Sequence, residues 1–247
     1  MSVLSIDTTA AAGVAPLAAP PRPPLLILGM HRSGTSFLTD TLQAAGLDLG
    51  EPSTSDPHNR KGNREVRALM MFHEGMLKAR GHAWEDPPLC PVPRTEAERQ
   101  EALGLVAWAG SAPWGFKDPR TLLLLDGWLG LFPGAGFVGI FRHPVAVARS
   151  IQARNRYAPG RSWDIWAAYN ARLLALHERR PFPLLCFDEE AGALHARIDR
   201  LLPSLGLAPL EGREAFFAPE LKHHEAAAEP VPERLRPLWD ALQARRC

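Results

Sequence analysis

The sequence predicts a single α/β domain built on a parallel sheet with flanking helices, and three observations carry that prediction. Short, continuously apolar runs at Leu25–Met30, Phe137–Phe141 and Pro183–Phe187 read as strands buried on both faces. They alternate with longer segments whose apolar residues recur at helical spacing. No linker, repeat or break in composition divides the 247 residues, a length that suits one well-buried domain.

Taken in order, residues 1–23 are rich in Ala, Pro and Thr and are expected to form a disordered lead, with Pro20-Pro-Arg-Pro-Pro24 a stiff lead-in to a domain spanning 24–247. After the first strand, Phe37, Leu38, Leu42 and Ala45 lie on one helical face from Thr35, and Gly46 supplies a stop. Residues 47–62 are polar and turn-rich. Arg64–Lys78 is helical again, with Val66, Leu69, Met70, Phe72, Met76 and Leu77 as its apolar face. A proline-rich loop at 81–95 leads to a surface helix at 96–109. A second strand at Trp114–Lys117 runs into Asp118-Pro119 and a helix over 121–131. The strand at 137–141 is followed by a helix at 145–153, then a long helix at 163–179. Trp163, Trp166 and Tyr169 take core positions on it. The strand at 183–187 precedes a helix at 190–205, and a last helix is expected at 234–245.

Bulk properties exclude several classes. A net charge of +1 offers no long basic surface for nucleic acid, although it leaves room for a local anion pocket. No apolar run approaches a membrane span, and residues 1–24 lack the positive start of a secretory signal. Cys90, Cys186 and Cys247 are odd in number and far apart, which argues against a disulfide framework and for a reducing, cytoplasmic setting. No His, Cys and carboxylate set has metal-ligand spacing, so no metal is expected.

The most informative segment is Gly29-Met-His-Arg-Ser-Gly-Thr-Ser36, which has G-x-x-x-x-G-x-[ST] spacing between a buried strand and a helix. Glycines let backbone amides approach an anion, and the helix start adds unpaired N–H groups and a favourable dipole. Ser33, Thr35 and Ser36 add hydroxyl donors. A nucleoside-triphosphate loop needs Lys where this chain has Thr35, so a single anionic group suits this P-loop-like turn better than a polyphosphate. The plain alternative is a Gly-Ser turn joining strand to helix. A second signal is Arg142, which ends a strand, with Ser150 eight residues on in the next helix. Strand ends line the ligand crevice of a parallel sheet, so Arg142 points to a second anionic group on the same ligand; the alternative is an arginine anchoring a helix end.

These residues resemble a known family. Gly29–Ser36 is similar to the 5′-phosphosulfate loop of sulfotransferases that use 3′-phosphoadenosine 5′-phosphosulfate (PAPS), in its R-S-G-T-[ST] form. Arg142 and Ser150 resemble the family's 3′-phosphate motif. Asn59-Arg-Lys-Gly-Asn-Arg-Glu65 looks like the N-P-K-G-x-x-E segment of bacterial carbohydrate-type members. It departs from that segment at Arg60, where Pro is usual, and at Asn63-Arg64, where aromatic residues are common. Phe116-Lys-Asp-Pro-Arg120 is similar to a K-D-P-R segment that the tyrosylprotein sulfotransferases share in part.

The resemblance covers residues 25–205 and implies a sulfotransferase of P-loop-like architecture, moving a sulfuryl group to an acceptor hydroxyl, with a glycan or small metabolite favoured. It implies that His31, Arg32, Ser33, Gly34, Thr35 and Ser36 hold the 5′-phosphosulfate, and Arg142 and Ser150 the 3′-phosphate. It gives Glu65 the role of base and Lys117 a share in leaving-group stabilisation, with Arg32 assisting. His31, His73 and Asp118 are the fallback bases, and the pair His223-His224 is a further polar candidate near the nucleotide. Arg142 is expected to act on the ligand with little effect on ligand-free stability. The rival readings are a P-loop small-molecule kinase and a non-catalytic binder of adenosine 3′,5′-bisphosphate. Oligomeric state is not legible.

Overall fold

The computed structural model describes residues 22–54, 62–210 and 229–247. Four strands, β1 (Leu25–Leu28), β2 (Gly115–Lys117), β3 (Gly136–Phe141) and β4 (Leu184–Cys186), form one sheet in the order β2-β1-β3-β4. Every pairing is parallel: Leu25 lies opposite Gly115 on one side and Gly136 on the other, and Ile140 opposite Leu185. This is the all-parallel sheet expected from apolar runs with no polar face. The pleat divides each strand between two cores. Leu26 and Leu28 face one, with Phe116, Phe137 and Phe141; Leu25 and Ile27 face the other, with Val138 and Ile140.

Helices cover both faces. On one side pack α1 (Thr35–Ala44), through Leu38 and Leu42, and α7 (Ala191–Leu201), through Leu194 and Ile198. On the other lie α2 (Arg67–Lys78), α3 (Glu96–Leu105), α4 (Leu125–Leu131), α5 (Pro144–Asn155), α6 (Pro159–Arg179) and α8 (Arg236–Gln243). Trp166 and Tyr169 are buried on α6, as their spacing predicts, whereas Trp163 is only half-buried and packs against the edge of that core. A capping box at Thr95 and Glu98 starts α3 where the sequence places it.

Several boundaries differ from expectation: α3 and α7 each end four residues early, at Leu105 and Leu201, and three further differences bear on the site and its supports. The segment 121–131 splits into a 3-10 turn at Pro119–Leu123, started by the Asp118 side chain, and the short α4. The long helix α6 begins four residues early, with Pro159 in its first turn, where a missing N–H costs nothing. The helix α2, after the turn-rich segment, starts at Arg67 instead of Arg64, because Val66 has extended backbone. Among the described residues, no helix is long and apolar enough to cross a membrane.

Candidate active site

Because the strands are parallel, all four of their C-terminal ends open on one edge of the sheet. That edge gathers the loop 29–36 after β1, Lys117 and Asp118 at the end of β2, Arg142 and His143 after β3, and Phe187 and Asp188 after β4.

The loop closes tightly. Ser33 N–H donates to the Met30 carbonyl at 3.3 Å, and Arg32 and Gly34 both take left-handed backbone at φ 68° and 89°. A Cβ on Gly34 would come within 2.2 Å of the Phe187 ring, and one on Gly29 within 2.4 Å of the Ile140 carbonyl oxygen. Gly34→Ala therefore meets both a clash and a conformation that L-residues resist. It is expected to cost at least about 1 kcal/mol, or about 2–4 °C in melting temperature at this size. Thermal melting checks this.

Two residues assigned to opposite ends of the ligand meet here. Arg32 Nε donates to Ser150 Oγ at 2.7 Å, which links the loop to α5. Arg142 NH1 reaches the Arg32 carbonyl at 3.4 Å, so the loop and the end of β3 adjoin. Asp188, which belongs to none of the sequence motifs, holds this corner. One of its oxygens lies 3.4 Å from Arg142 Nε, and the other accepts from His143 N–H at 2.6 Å. Its signal was available, since it follows the fourth predicted strand. Ser33 Oγ is buried without a partner, as is His31 Nε2. Burial holds the His31 imidazole well below its ordinary pKa, and nearby Arg120 adds to this. The His31 ring packs on Trp84 at 4.7 Å between centroids.

The second cluster is a buried ion network. Glu65 is not the first-turn residue of a helix that the sequence suggested. It precedes α2 in extended chain, its N–H held by Asn63 Oδ1 at 3.0 Å and its carbonyl by Ser53 N–H at 2.9 Å. Ser36 Oγ donates to the Asn63 carbonyl at 3.1 Å, tying this segment to the loop. Lys117 Nζ donates to Glu65 Oε1 at 2.8 Å, with the two side chains 2% and 7% exposed. Arg120 NH1 lies 3.6 Å from Glu65 Oε2 and 2.9 Å from Asp118 Oδ1, and its NH2 lies 2.6 Å from Glu74. Burial raises the Glu65 carboxyl above its ordinary value, against the pull of Lys117 and with help from Asp118. Burial pushes Asp118 the same way, yet Arg120 and the His73 hydrogen bond prevail and hold it far below the carboxylate range. In the sequence Arg120 stands out only as part of a motif; its central place depends on three carboxylates meeting in space.

The structure thus brings together His31, Arg32, Ser33, Gly34, Thr35, Ser36, Arg142 and Ser150 around one corner, with Glu65 and Lys117 paired beside it. His223 and His224 lie outside the described residues, as do Asn59, Arg60 and Lys61. Among the described residues, no group of three or more His, Cys, Asp or Glu side chains is arranged to hold a metal ion.

A four-stranded parallel sheet with flanking helices, a glycine loop after its first strand and an arginine–serine contact beside that loop defines a single α/β domain with its candidate site at the C-terminal edge of the sheet. The model of the sulfotransferase family matches residues 23–188, and the chain belongs to that family. No curated protein matches it by sequence. Its fold is similar to the sulfotransferase domain of the Synechococcus PCC 7002 olefin synthase, at 18% identity and TM-score 0.59, covering 92% of this chain and 95% of that one. The sulfotransferase domain from the curacin biosynthetic pathway is similar at 14% identity and TM-score 0.57, covering 90% and 98%. Sulfotransferase STF9 from Mycobacterium avium follows at 17% identity and TM-score 0.53, covering 90% and 76%.

Proposed function

We propose that the protein transfers a sulfuryl group from PAPS to the hydroxyl of a glycan or small metabolite. The observation that carries this reading is the buried Glu65–Lys117 pair, 2.8 Å apart, beside the glycine loop. When bound, the donor supplies a sulfuryl group on a phosphate leaving group, a transfer that resembles phosphoryl transfer in relying on positioning and electrostatics. The loop amides, with Ser33, Thr35 and Ser36, would hold its 5′ end, and the orphaned Ser33 hydroxyl fits that task. Arg142 and Ser150 would hold the 3′-phosphate, with Arg32 spanning the two sites.

Glu65 accepts the proton of the acceptor hydroxyl; a carboxyl raised by burial is the better base for it. Lys117 stabilises negative charge on the leaving oxygen. Base and cation are one pair, so the two tasks are coupled: once Glu65 is protonated it holds Lys117 less strongly, and more of the ammonium charge is available to the leaving group. For the acceptor, half-buried Trp84 and Tyr157 stand 6.4 Å apart beside His31, with the Arg154 guanidinium 5.0 Å over Trp84. Flat faces of this kind suit the C–H face of a sugar or a small ring. The free cysteines Cys90, Cys186 and Cys247 accord with a cytoplasmic setting.

Thr35 in the lysine position counts against the kinase reading, and the presence of Glu65 and Lys117 against a non-catalytic binder. Calorimetry tests the donor. Adenosine 3′,5′-bisphosphate is expected to bind far more tightly than Mg-ATP, and tighter binding of Mg-ATP would sink the proposal.

A further inference from the structure

We infer that His73 is a positioning residue: locked in its Nδ1–H form by the Trp128 indole, it holds Asp118, and through Asp118 keeps Arg120 against Glu65. The inference rests on the reading of Glu65 as the base.

His73 is fully buried on α2, and both of its ring nitrogens are engaged. Trp128 Nε1 lies 2.8 Å from His73 Nε2. An indole N–H only donates, so Nε2 must present its lone pair and the ring proton sits on Nδ1. Nδ1 lies 2.8 Å from Asp118 Oδ2 and donates there. A second ring proton would set two N–H groups against each other at Trp128. The charged groups around the ring are Asp118 on one side and the arginines Arg94 and Arg120 on the other. Arg94 stacks 4.2 Å from the centroid of Trp128 itself, so both arginines oppose a positive imidazole. Burial acts in the same direction, ahead of them.

The consequence passes through Asp118. With Oδ2 committed to His73, Oδ1 accepts from both the Arg120 backbone N–H and Arg120 NH1, each at 2.9 Å. The same NH1 faces Glu65 Oε2 at 3.6 Å. Five side chains from α4, α2, the end of β2, the turn after it and the segment before α2 form one connected chain ending at the base. His73 is thereby excluded as a base, having no free lone pair. Its task is to keep Arg120 in register, so that Glu65 keeps its orientation while Lys117 turns to the leaving group.

Two measurements on the full chain test this. Nitrogen-15 NMR of the wild-type imidazoles is expected to show His73 protonated only at Nδ1 from about pH 5 to 8. An Nε2–H form, or titration in that range, overturns the inference even if no variant folds. His73→Phe keeps a ring but removes the donor to Asp118. It is expected to lower kcat roughly ten- to hundredfold and move the acid limb of the pH–rate profile upward, since Glu65 loses part of the positive charge of Arg120. Affinity for adenosine 3′,5′-bisphosphate should stay level. His73→Asn, whose amide can stand in for Nδ1–H, should return the acid limb toward its wild-type position. An unmoved limb in His73→Phe, in a protein where Glu65→Gln is inactive, overturns the inference and leaves the base assignment standing. An active Glu65→Gln overturns both.

Discussion

Glu65→Gln is expected to lower turnover by about two to four powers of ten while affinity for adenosine 3′,5′-bisphosphate stays nearly unchanged. The substitution keeps the shape of the side chain, and an amide oxygen can still accept the Lys117 N–H now 2.8 Å from Oε1. What is lost is the capacity to take a proton. Some stability goes with it, because Lys117 is left buried beside a neutral partner, so melting should occur somewhat earlier without loss of the fold. Lys117→Ala is the harsher change, since it strands a buried carboxylate; its turnover should be read only alongside its melting curve. In the wild type, kcat/KM should fall on the acid side with a midpoint above the ordinary glutamate value of 4.5, the direction in which burial moves Glu65. Steady-state rates and equilibrium titration separate these outcomes. Near-normal turnover in Glu65→Gln would move the base to His31, because Asp118 is held ionised by Arg120 and His73 has no lone pair to spare.

Arg142→Ala is expected to weaken adenosine 3′,5′-bisphosphate binding by about 1.5–3 kcal/mol, roughly one to two powers of ten. The guanidinium is a charge-assisted donor at the corner where Arg32 Nε meets Ser150, and its own NH1 reaches the Arg32 carbonyl. The sequence alone suggests that this change leaves ligand-free stability alone; the contacts of Arg142 lead to a different expectation. Arg142 is 6% exposed, faces Asp188 at 3.4 Å and lies 5.1 Å over the Phe187 ring. Removing it leaves Asp188 with less compensation, so the apo protein should melt earlier as well. Adenosine 5′-monophosphate, which lacks the 3′-phosphate, provides the control. It should bind the variant and the wild type alike, and equal binding of the bisphosphate to both would place the 3′-phosphate pocket elsewhere.

Much of this was legible because it is local. Short continuous apolar runs and helical periodicity give the strands and most helices, and strand-end logic puts the loop, Lys117 and Arg142 on one edge. The start of α2 was not legible, because Val66 supplies no side-chain cap; Glu65 is held instead by Asn63 and by pairing with Ser53. The split of 121–131 follows from Asp118 bonding the Arg120 N–H, a choice between two competing uses of one carboxylate. The His73–Trp128 contact joins residues 55 apart in sequence, and no spacing rule foretells it.

The strand pairing also bears on how the chain reaches this state. Leu25 is opposite Gly115 and Gly136, so the central strand finds neither neighbour nearby in the chain. Large loops must close before any ladder forms, and the entropy of closing them precedes its reward. The corner made by Arg32, Ser150 and Arg142 cannot exist before β1 and β3 have met. Refolding should therefore be slow for a domain of this size, and recovery of bisphosphate binding should follow sheet formation and never lead it. On the proposed function, nucleotide capture would thus be a late reporter of folding, and a ligand selecting the finished corner would slow unfolding more than it speeds assembly.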